Sequence, residues 1–184
     1  MQNKVENISR HKFIVNFVQL FRDELGKSVN EEYKSYLLPP GSATQEEYIR
    51  KCNKCYECIS ACPYEVLRVA YEMNETIDSY PVIIPSITAC NMCSDFPCIN
   101  ACEQGALISS LRDQPLGKIE IVENNCYAYS DHYCTSCVTN CPIGESAIYL
   151  DSNNKPHINI ENCNGCGVCI NTCPSEQPSI RIIN

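Results

Sequence analysis

The chain has 184 residues and a formal net charge of −8, with 14 Lys and Arg against 22 Asp and Glu. That length holds one compact domain or two small ones, and the acidic balance excludes a nucleic-acid binder working through a basic surface. Cysteine supplies 16 residues, a share that a small secreted chain would spend on disulfides, yet here they fall in C-x2-C groups of the kind that hold metal.

Residues 1–38 contain no cysteine. Ile14, Phe17, Val18, Phe21 and Leu25 repeat at helical spacing and predict an amphipathic helix ending near Gly26. Ser28-Val-Asn-Glu31 reads as a capping box opening a second short helix, stopped by Pro39-Pro40-Gly41. Two uses of this extension stand open: a cover over one end of the cysteine-rich part, or a docking arm for a partner subunit. Ser9-Arg10-His11-Lys12-Phe13 is faintly similar to a twin-arginine export signal. It lacks the second arginine and an apolar region, since Asn16, Gln19, Arg22 and Asp23 interrupt the stretch. The expected location is therefore cytoplasmic, and no apolar run approaches the length of a transmembrane helix. Thr44-Gln-Glu-Glu47 is a further capping box, opening a short helix that delivers the chain to Cys52.

The cysteines form four groups. Cys52, Cys55, Cys58 and Cys62, followed by Pro63, have the spacing of the bacterial ferredoxin run, as do Cys163, Cys166, Cys169 and Cys173 before Pro174. Cys90, Cys93, Cys98 and Cys102 have a longer middle gap and Glu103 in place of the proline. Cys126, Cys134, Cys137 and Cys141 begin with a seven-residue gap and end at Pro142. The groups recur about every 37 residues and leave no cysteine over, an internal repeat. Three thiolates at two-residue intervals wrap one cubane, and the fourth, beyond them, reaches a neighbouring one, so such runs come in pairs. Structural zinc instead pairs two C-x2-C knuckles across a long gap. Gly165 and Gly167 suit a loop that needs positive φ beside sulfur.

Short apolar segments predict strands after each group, at Val66-Leu67, Ala106-Leu107-Ile108, Ala147 to Leu150 and Ile180 to Ile182. Partner strands precede the later groups, at Val82 to Ile84, Lys118 to Val122 and His157 to Ile160, with turns at Asp113 to Gly117 and Asp151 to Asn154. The predicted fold is α+β, built from bacterial ferredoxin-like dicluster repeats. Residues 1–41 form a helical extension and linker, and 42–184 a four-cluster domain. Four [4Fe–4S] clusters, each about −2 with its thiolates when oxidised, give the chain a strongly acidic body that favours partners with basic docking faces. The non-cysteine core is small, so the clusters act as staples and the cluster-free chain is expected to be largely unfolded.

Pro39-Pro40-Gly41, Glu46-Glu47-Tyr48-Ile49, Cys126-Tyr-Ala-Tyr with Cys134-Thr-Ser-Cys137 and Cys141-Pro-Ile, and Cys163-Asn-Gly-Cys166-Gly give residues 38–184 a resemblance to the ferredoxin-type proteins of the NapG/MauM kind. The chain is also similar in size and cluster number to the polyferredoxin-like subunits of tungsten and molybdenum aldehyde oxidoreductases, which are cytoplasmic. The resemblance implies four [4Fe–4S] clusters relaying electrons. The wider group of four-cluster subunits implies a nested pairing, group one with four and two with three. Carried over, the clusters hang from Cys52, Cys55, Cys58 and Cys173; from Cys163, Cys166, Cys169 and Cys62; from Cys90, Cys93, Cys98 and Cys141; and from Cys126, Cys134, Cys137 and Cys102. Sequential pairing is the competing scheme.

Nothing in the sequence marks a catalytic residue. His11, His132 and His157 are the only histidines and none adjoins an acid–nucleophile set; no phosphate loop and no flavin or nicotinamide fingerprint occurs. The expected function is outer-sphere electron transfer, as a subunit between a catalytic oxidoreductase, by resemblance a tungsten or molybdenum enzyme, and a second redox protein. The alternatives are a freely diffusing polyferredoxin, a NapG-like quinol-to-reductase carrier and, more weakly, a sensing or assembly role. Asp95 and Glu103 are expected to lower the potential of the cluster near Cys98 and Cys102 by repelling the added electron.

Overall fold

A computed structural model describes residues 35–71, 73 and 75–183. The stripe from Ile14 to Leu25 and the capping box at Ser28 lie outside them.

The described chain enters extended rather than as the end of a helix. The residue before a proline is pushed out of the α region, and two prolines come in series after Leu38. Leu37 is 2 % exposed and exchanges both backbone hydrogen bonds with Ile83, each 2.9 Å. Residues 35–41, expected to belong to an extension and linker, thus pack into the cysteine-rich part of the chain. Gly41, at φ +82, lies so close to Ile108 that a Cβ would stand 2.9 Å from its backbone.

Helix α1 (Gln45–Lys51) starts as its capping box predicts: Thr44 Oγ1 accepts from the Glu47 N–H at 3.2 Å. Glu46 and Glu47 occupy its first turn and Arg50 and Lys51 its last, each sign at the favourable end of the dipole. Its buried face is Tyr48, whose hydroxyl donates to the Pro81 carbonyl at 2.7 Å. Strands β1 (Leu67–Val69) and β2 (Pro81–Ile83) form an antiparallel ladder with Leu67 opposite Ile83.

In the later part, β3 (Lys118–Ile121) pairs antiparallel with β6 (Ile180–Ile183), Ile119 opposite Ile182 and Ile121 opposite Ile180. Between them, β4 (Ile148–Leu150) and β5 (Pro156–Ile158) form a hairpin. Its turn is held by Asp151 Oδ1, which accepts from the Asn153 and Lys155 N–H groups at 2.8 and 2.9 Å. The strand expected at 106–108 is not formed. Ala106 and Leu107 are buried, the Ile108 N–H donates to the Gly41 carbonyl at 2.8 Å, and a 3-10 turn continues at Ser109–Leu111.

Two apolar clusters form the core. The larger gathers Leu37, Tyr48, Val66, Ile77, Val82, Ile83, Ile99 and Leu107 from the first half. The smaller consists of Ile119, Cys137, Ile148 and Ile180. At roughly 1.5–3 kcal/mol for each large side chain fully buried, the first half gains far more from burial than the second. The halves meet through their second cysteine loops. Cys90 N–H donates to the Cys166 carbonyl at 3.0 Å, Leu116 N–H to Asn164 at 2.9 Å, and Asn171 Nδ2 to Ile87 at 3.1 Å.

Candidate metal centres

Each cysteine group is a loop that turns into a four-residue helix carrying its third cysteine. These are α2 (Glu57–Ser60, with Cys58), α3 (Pro97–Asn100, with Cys98), α4 (Ser136–Thr139, with Cys137) and α5 (Val168–Asn171, with Cys169). Pro97 opens α3, where a missing N–H is harmless, and Asn100 Nδ2 donates back to the Asp95 carbonyl at 2.8 Å, closing the longer middle gap of that group. In three of the four loops, left-handed backbone between successive cysteines turns them to one side. It falls at Lys54 and Tyr56 (φ 61 and 64), at Met92 and Phe96 (φ 46 and 42), and at Gly165 and Gly167 (φ 66 and 84). The two glycines have the positive φ expected of them.

Three cavities lie inside these loops. One is lined by Cys62, Cys90, Cys93 and Cys98. Another has Cys141, Cys163, Cys166 and Cys169 in its wall. A third has Cys126, Cys134, Cys137 and Cys173. The remaining four cysteines also gather: the Cys58 thiol is pushed up to about 12 by burial and then by the charges of Cys52 and Cys102, with Cys98 and Cys55 behind them.

Every cavity therefore takes three cysteines from one group and one from its neighbour in sequence. The linings of these three cavities follow the sequential grouping rather than the nested one. Cys102, not Cys173, joins Cys52, Cys55 and Cys58; Cys62 joins the second group's three rather than the fourth's. Cys141 and Cys173 exchange within the second half. The cause is in the strands. β3 before the third group pairs with β6 after the fourth, and Leu37 before the first group pairs with Ile83 before the second. Each half thus closes on itself through its own strand pairing.

Comparisons with known proteins agree with this chemistry. Residues 132–177 match a family model described as a 4Fe-4S dicluster domain, and residues 50–65 one described as a 4Fe-4S binding domain. The methylamine utilization ferredoxin-type protein MauM of Methylorubrum extorquens is 32% identical over 168 residues, covering 85% of this chain and 76% of that protein. The ferredoxin-type protein NapG of Escherichia coli is 30% identical over 161 residues, 80% of this chain and 70% of that one. MauM of Paracoccus denitrificans is 33% identical over 156 residues, covering 79% and 70%. The chain belongs to the NapG/MauM family of ferredoxin-type proteins. No solved structure matches it.

The cysteines of this NapG/MauM-family chain fit iron–sulfur clusters better than single ions. Among the described residues, no three His, Cys, Asp or Glu side chains converge tightly enough to hold one metal ion. Zinc at about 2.3 Å from each sulfur would need thiolates about 3.8 Å apart; a cubane holds them on separate irons around a wider core. None of the sixteen is in a disulfide. Burial is the first cause of the raised thiols: Cys90 reaches about 12, Cys98 and Cys137 about 11, and Cys166 and Cys169 also move up. Metal must displace those protons, so loading releases them. Backbone amides already point at sulfur, Met92 N–H to Cys90 Sγ at 3.5 Å and Leu107 N–H to Cys102 Sγ at 3.4 Å.

The other residues singled out from the sequence fall around these sites. Asp95 and Glu103 are exposed, and they flank different cysteine sets, because Cys98 and Cys102 face different clusters of thiols. His132 is exposed and lies against the Tyr127 ring, centroids 5.9 Å apart. His157 Nε2 is 3.1 Å from Asp151 Oδ2, and its ring lies between Tyr129 and Tyr149. His11 lies outside the described residues. Sequence reasoning missed Ser179, buried in the wall of the Cys173 cavity; a lone serine before an apolar strand carries no signal. Among the described residues, no helix is long and apolar enough to cross a membrane.

Proposed function

We propose that this iron–sulfur ferredoxin-type protein holds four [4Fe–4S] clusters, two in each of two ferredoxin-like units in tandem, and passes electrons along them between two redox proteins. The observation that carries the reading is the gathering of all sixteen cysteines into four sets of four. The ligand sets are Cys52, Cys55, Cys58 and Cys102; Cys90, Cys93, Cys98 and Cys62; Cys163, Cys166, Cys169 and Cys141; and Cys126, Cys134, Cys137 and Cys173. A bound cubane supplies a one-electron store whose irons all carry a cysteine, which leaves no position for a substrate.

The chain's own part is spacing and insulation. Helices α2 and α3, bearing Cys58 and Cys98, pack together, as do α4 and α5, bearing Cys137 and Cys169. The halves are joined at Cys90 and Cys166. The route this supports takes the groups in the order one, two, four, three, so the ends of the relay are the sites of Cys52 and of Cys126. Walls such as Ile119, Ile148 and Ile180 keep water from the sulfurs and hold the change in charge to what nearby dipoles can stabilise.

Within this reading the chain is a non-catalytic subunit bound to an oxidoreductase, by resemblance a tungsten or molybdenum enzyme, with a second redox protein at its other end. Similarity to NapG favours, as the second reading, a NapG-like carrier between quinol and a reductase. Sixteen thiols that must stay reduced until loaded fit the cytoplasm; cell fractionation that finds the chain in the periplasm overturns that part. Anaerobic purification under native conditions separates the roles: a stoichiometric companion supports the subunit, a clean monomer a diffusing carrier. Iron and labile-sulfide analysis of that material tests the core claim. About sixteen atoms of each per chain is expected, and zinc in their place, or far less iron, overturns it.

A further inference from the structure

The cavity of Cys126, Cys134, Cys137 and Cys173 has a polar side chain sealed in its wall. Ser179 is 2 % exposed, the buried polar residue among the described ones, and its Oγ stands 2.9 Å from Cys173 Sγ. The hydroxyl is not there by chance of a loose loop. The Ser179 carbonyl accepts the Val122 N–H at 2.8 Å. Next to it, Asn125 Nδ2 donates to the Pro178 carbonyl at 2.8 Å, and Ser175 Oγ donates to the Asn125 carbonyl at 2.5 Å. Residues 175–179 are thereby tied to 122–125, the segment that leads into Cys126, so the serine is fixed from both sides of the site.

In the free thiol either partner can donate. Once Cys173 is a ligand its sulfur has no proton, and the only hydrogen between the two atoms belongs to Ser179. We infer that Ser179 is a potential-setting residue: its hydroxyl donates to the Cys173 sulfur and raises the reduction potential of the cluster held by Cys126, Cys134, Cys137 and Cys173. The inference rests on the four-cluster reading.

The physical reason is differential. Adding an electron makes the cluster and its thiolates more negative, and a hydrogen-bond donor aimed at a ligand sulfur stabilises the reduced form more than the oxidised one. Burial strengthens the effect, because no water competes for the sulfur. The corresponding fourth cysteine of the first half, Cys102, receives instead a backbone N–H at 3.4 Å. The buried hydroxyl of that half, Tyr48, donates to the Pro81 carbonyl at 2.7 Å and also lies beside the Cys52 sulfur. The serine hydroxyl acts on the Cys126 end of the relay alone.

The test is an anaerobic potentiometric titration, monitored by electron paramagnetic resonance, of the full chain with Ser179→Ala, Ser179→Thr and Ser179→Val. The expected result is one wave moved to more negative potential in Ser179→Ala, with the others unmoved and iron content unchanged, and that wave restored toward its original position by Ser179→Thr. Should Ser179→Ala fail to load, the Thr and Val variants, equal in shape and different in the hydroxyl, make the same comparison. Full iron with no moved wave overturns the inference, as does an equal shift in Thr and Val. Loss of one cluster's iron in Ala and Val but not in Thr also overturns it, in favour of a hydroxyl that merely holds Cys173 in place. Absence of clusters from the unsubstituted chain refutes the four-cluster reading itself, which iron analysis reveals before any titration.

Discussion

The first and fourth cysteine loops trace the same left-handed path with opposite residues. In the first the positions are Lys54 and Tyr56; in the fourth they are Gly165 and Gly167. A left-handed backbone costs an ordinary residue about 1–2 kcal/mol, so glycine ought to be preferred in both. The difference lies in what stands opposite. Lys54 has room to lay its ammonium 4.1 Å from the Tyr80 ring centroid, and Tyr56 to donate to the Ser79 carbonyl at 3.2 Å. A Cβ on Gly165 would stand 2.2 Å from the Gly117 carbonyl oxygen, and one on Gly167 2.6 Å from Pro85. The cluster dictates the shape of the loop; the neighbouring chain dictates which residue can fill it. The fourth loop is where the halves press together, and the first faces outward.

The same contrast extends to the halves as wholes. The first rests on a broad apolar core and the second on an apolar cluster of four buried residues, so the second depends more on its clusters. Stripping iron with a chelator should therefore remove hydrogen-exchange protection from the β3–β6 ladder before the β1–β2 ladder; simultaneous loss breaks the comparison. Next in size, Gly165→Ala should destabilise the chain by about 3 kcal/mol or more, since backbone must move, while Tyr56→Gly changes stability little, strain relief offsetting a lost hydrogen bond. Thermal unfolding of the loaded proteins checks both.

Smaller effects sharpen the contrast further. Because Asp95 and Glu103 flank different sets of thiols, Asp95→Asn and Glu103→Gln should each raise a different wave, and only modestly, both side chains being exposed and screened. Potentiometry that finds both acting on one wave contradicts the division. The smallest expected effect concerns the β4–β5 turn. Asp151 is held below the usual carboxylate range, first by the Lys155 N–H and then by His157. A carboxyl whose folded pKa is depressed adds stability that is present above its unfolded value, about 3.9, and lost as pH falls through the folded one. Acid titration of Tm should show this slope in the unsubstituted chain and not in Asp151→Asn.

How much the sequence disclosed depends on how local each feature is. Thr44 and Glu47 are three residues apart and signal their helix unaided. The strands flanking the groups are legible because apolar β-branched runs end at turn residues such as Asp151, although at 106–108 the same composition fills a core instead, with Ile108 tied to Gly41. That the cysteines fall into four groups of four is legible from spacing alone. Which fourth cysteine serves which cavity is not, because that depends on β3 finding β6 and Leu37 finding Ile83, choices made by strands far apart in sequence. Resemblance to nested four-cluster subunits pointed the other way. Ser179 was invisible for a related reason: its partner, Cys173, is close in sequence, but only the ties to 122–125 aim the hydroxyl at the sulfur.

The grouping of cysteines can be read directly by replacing one of them. In Cys173→Ala, purified without oxygen and treated with a thiol-alkylating reagent, peptide mass spectrometry shows which other cysteines lose protection. The tandem arrangement predicts new labelling of Cys126, Cys134 and Cys137, with Cys52, Cys55 and Cys58 still protected. Labelling of Cys52, Cys55 and Cys58 instead would contradict it.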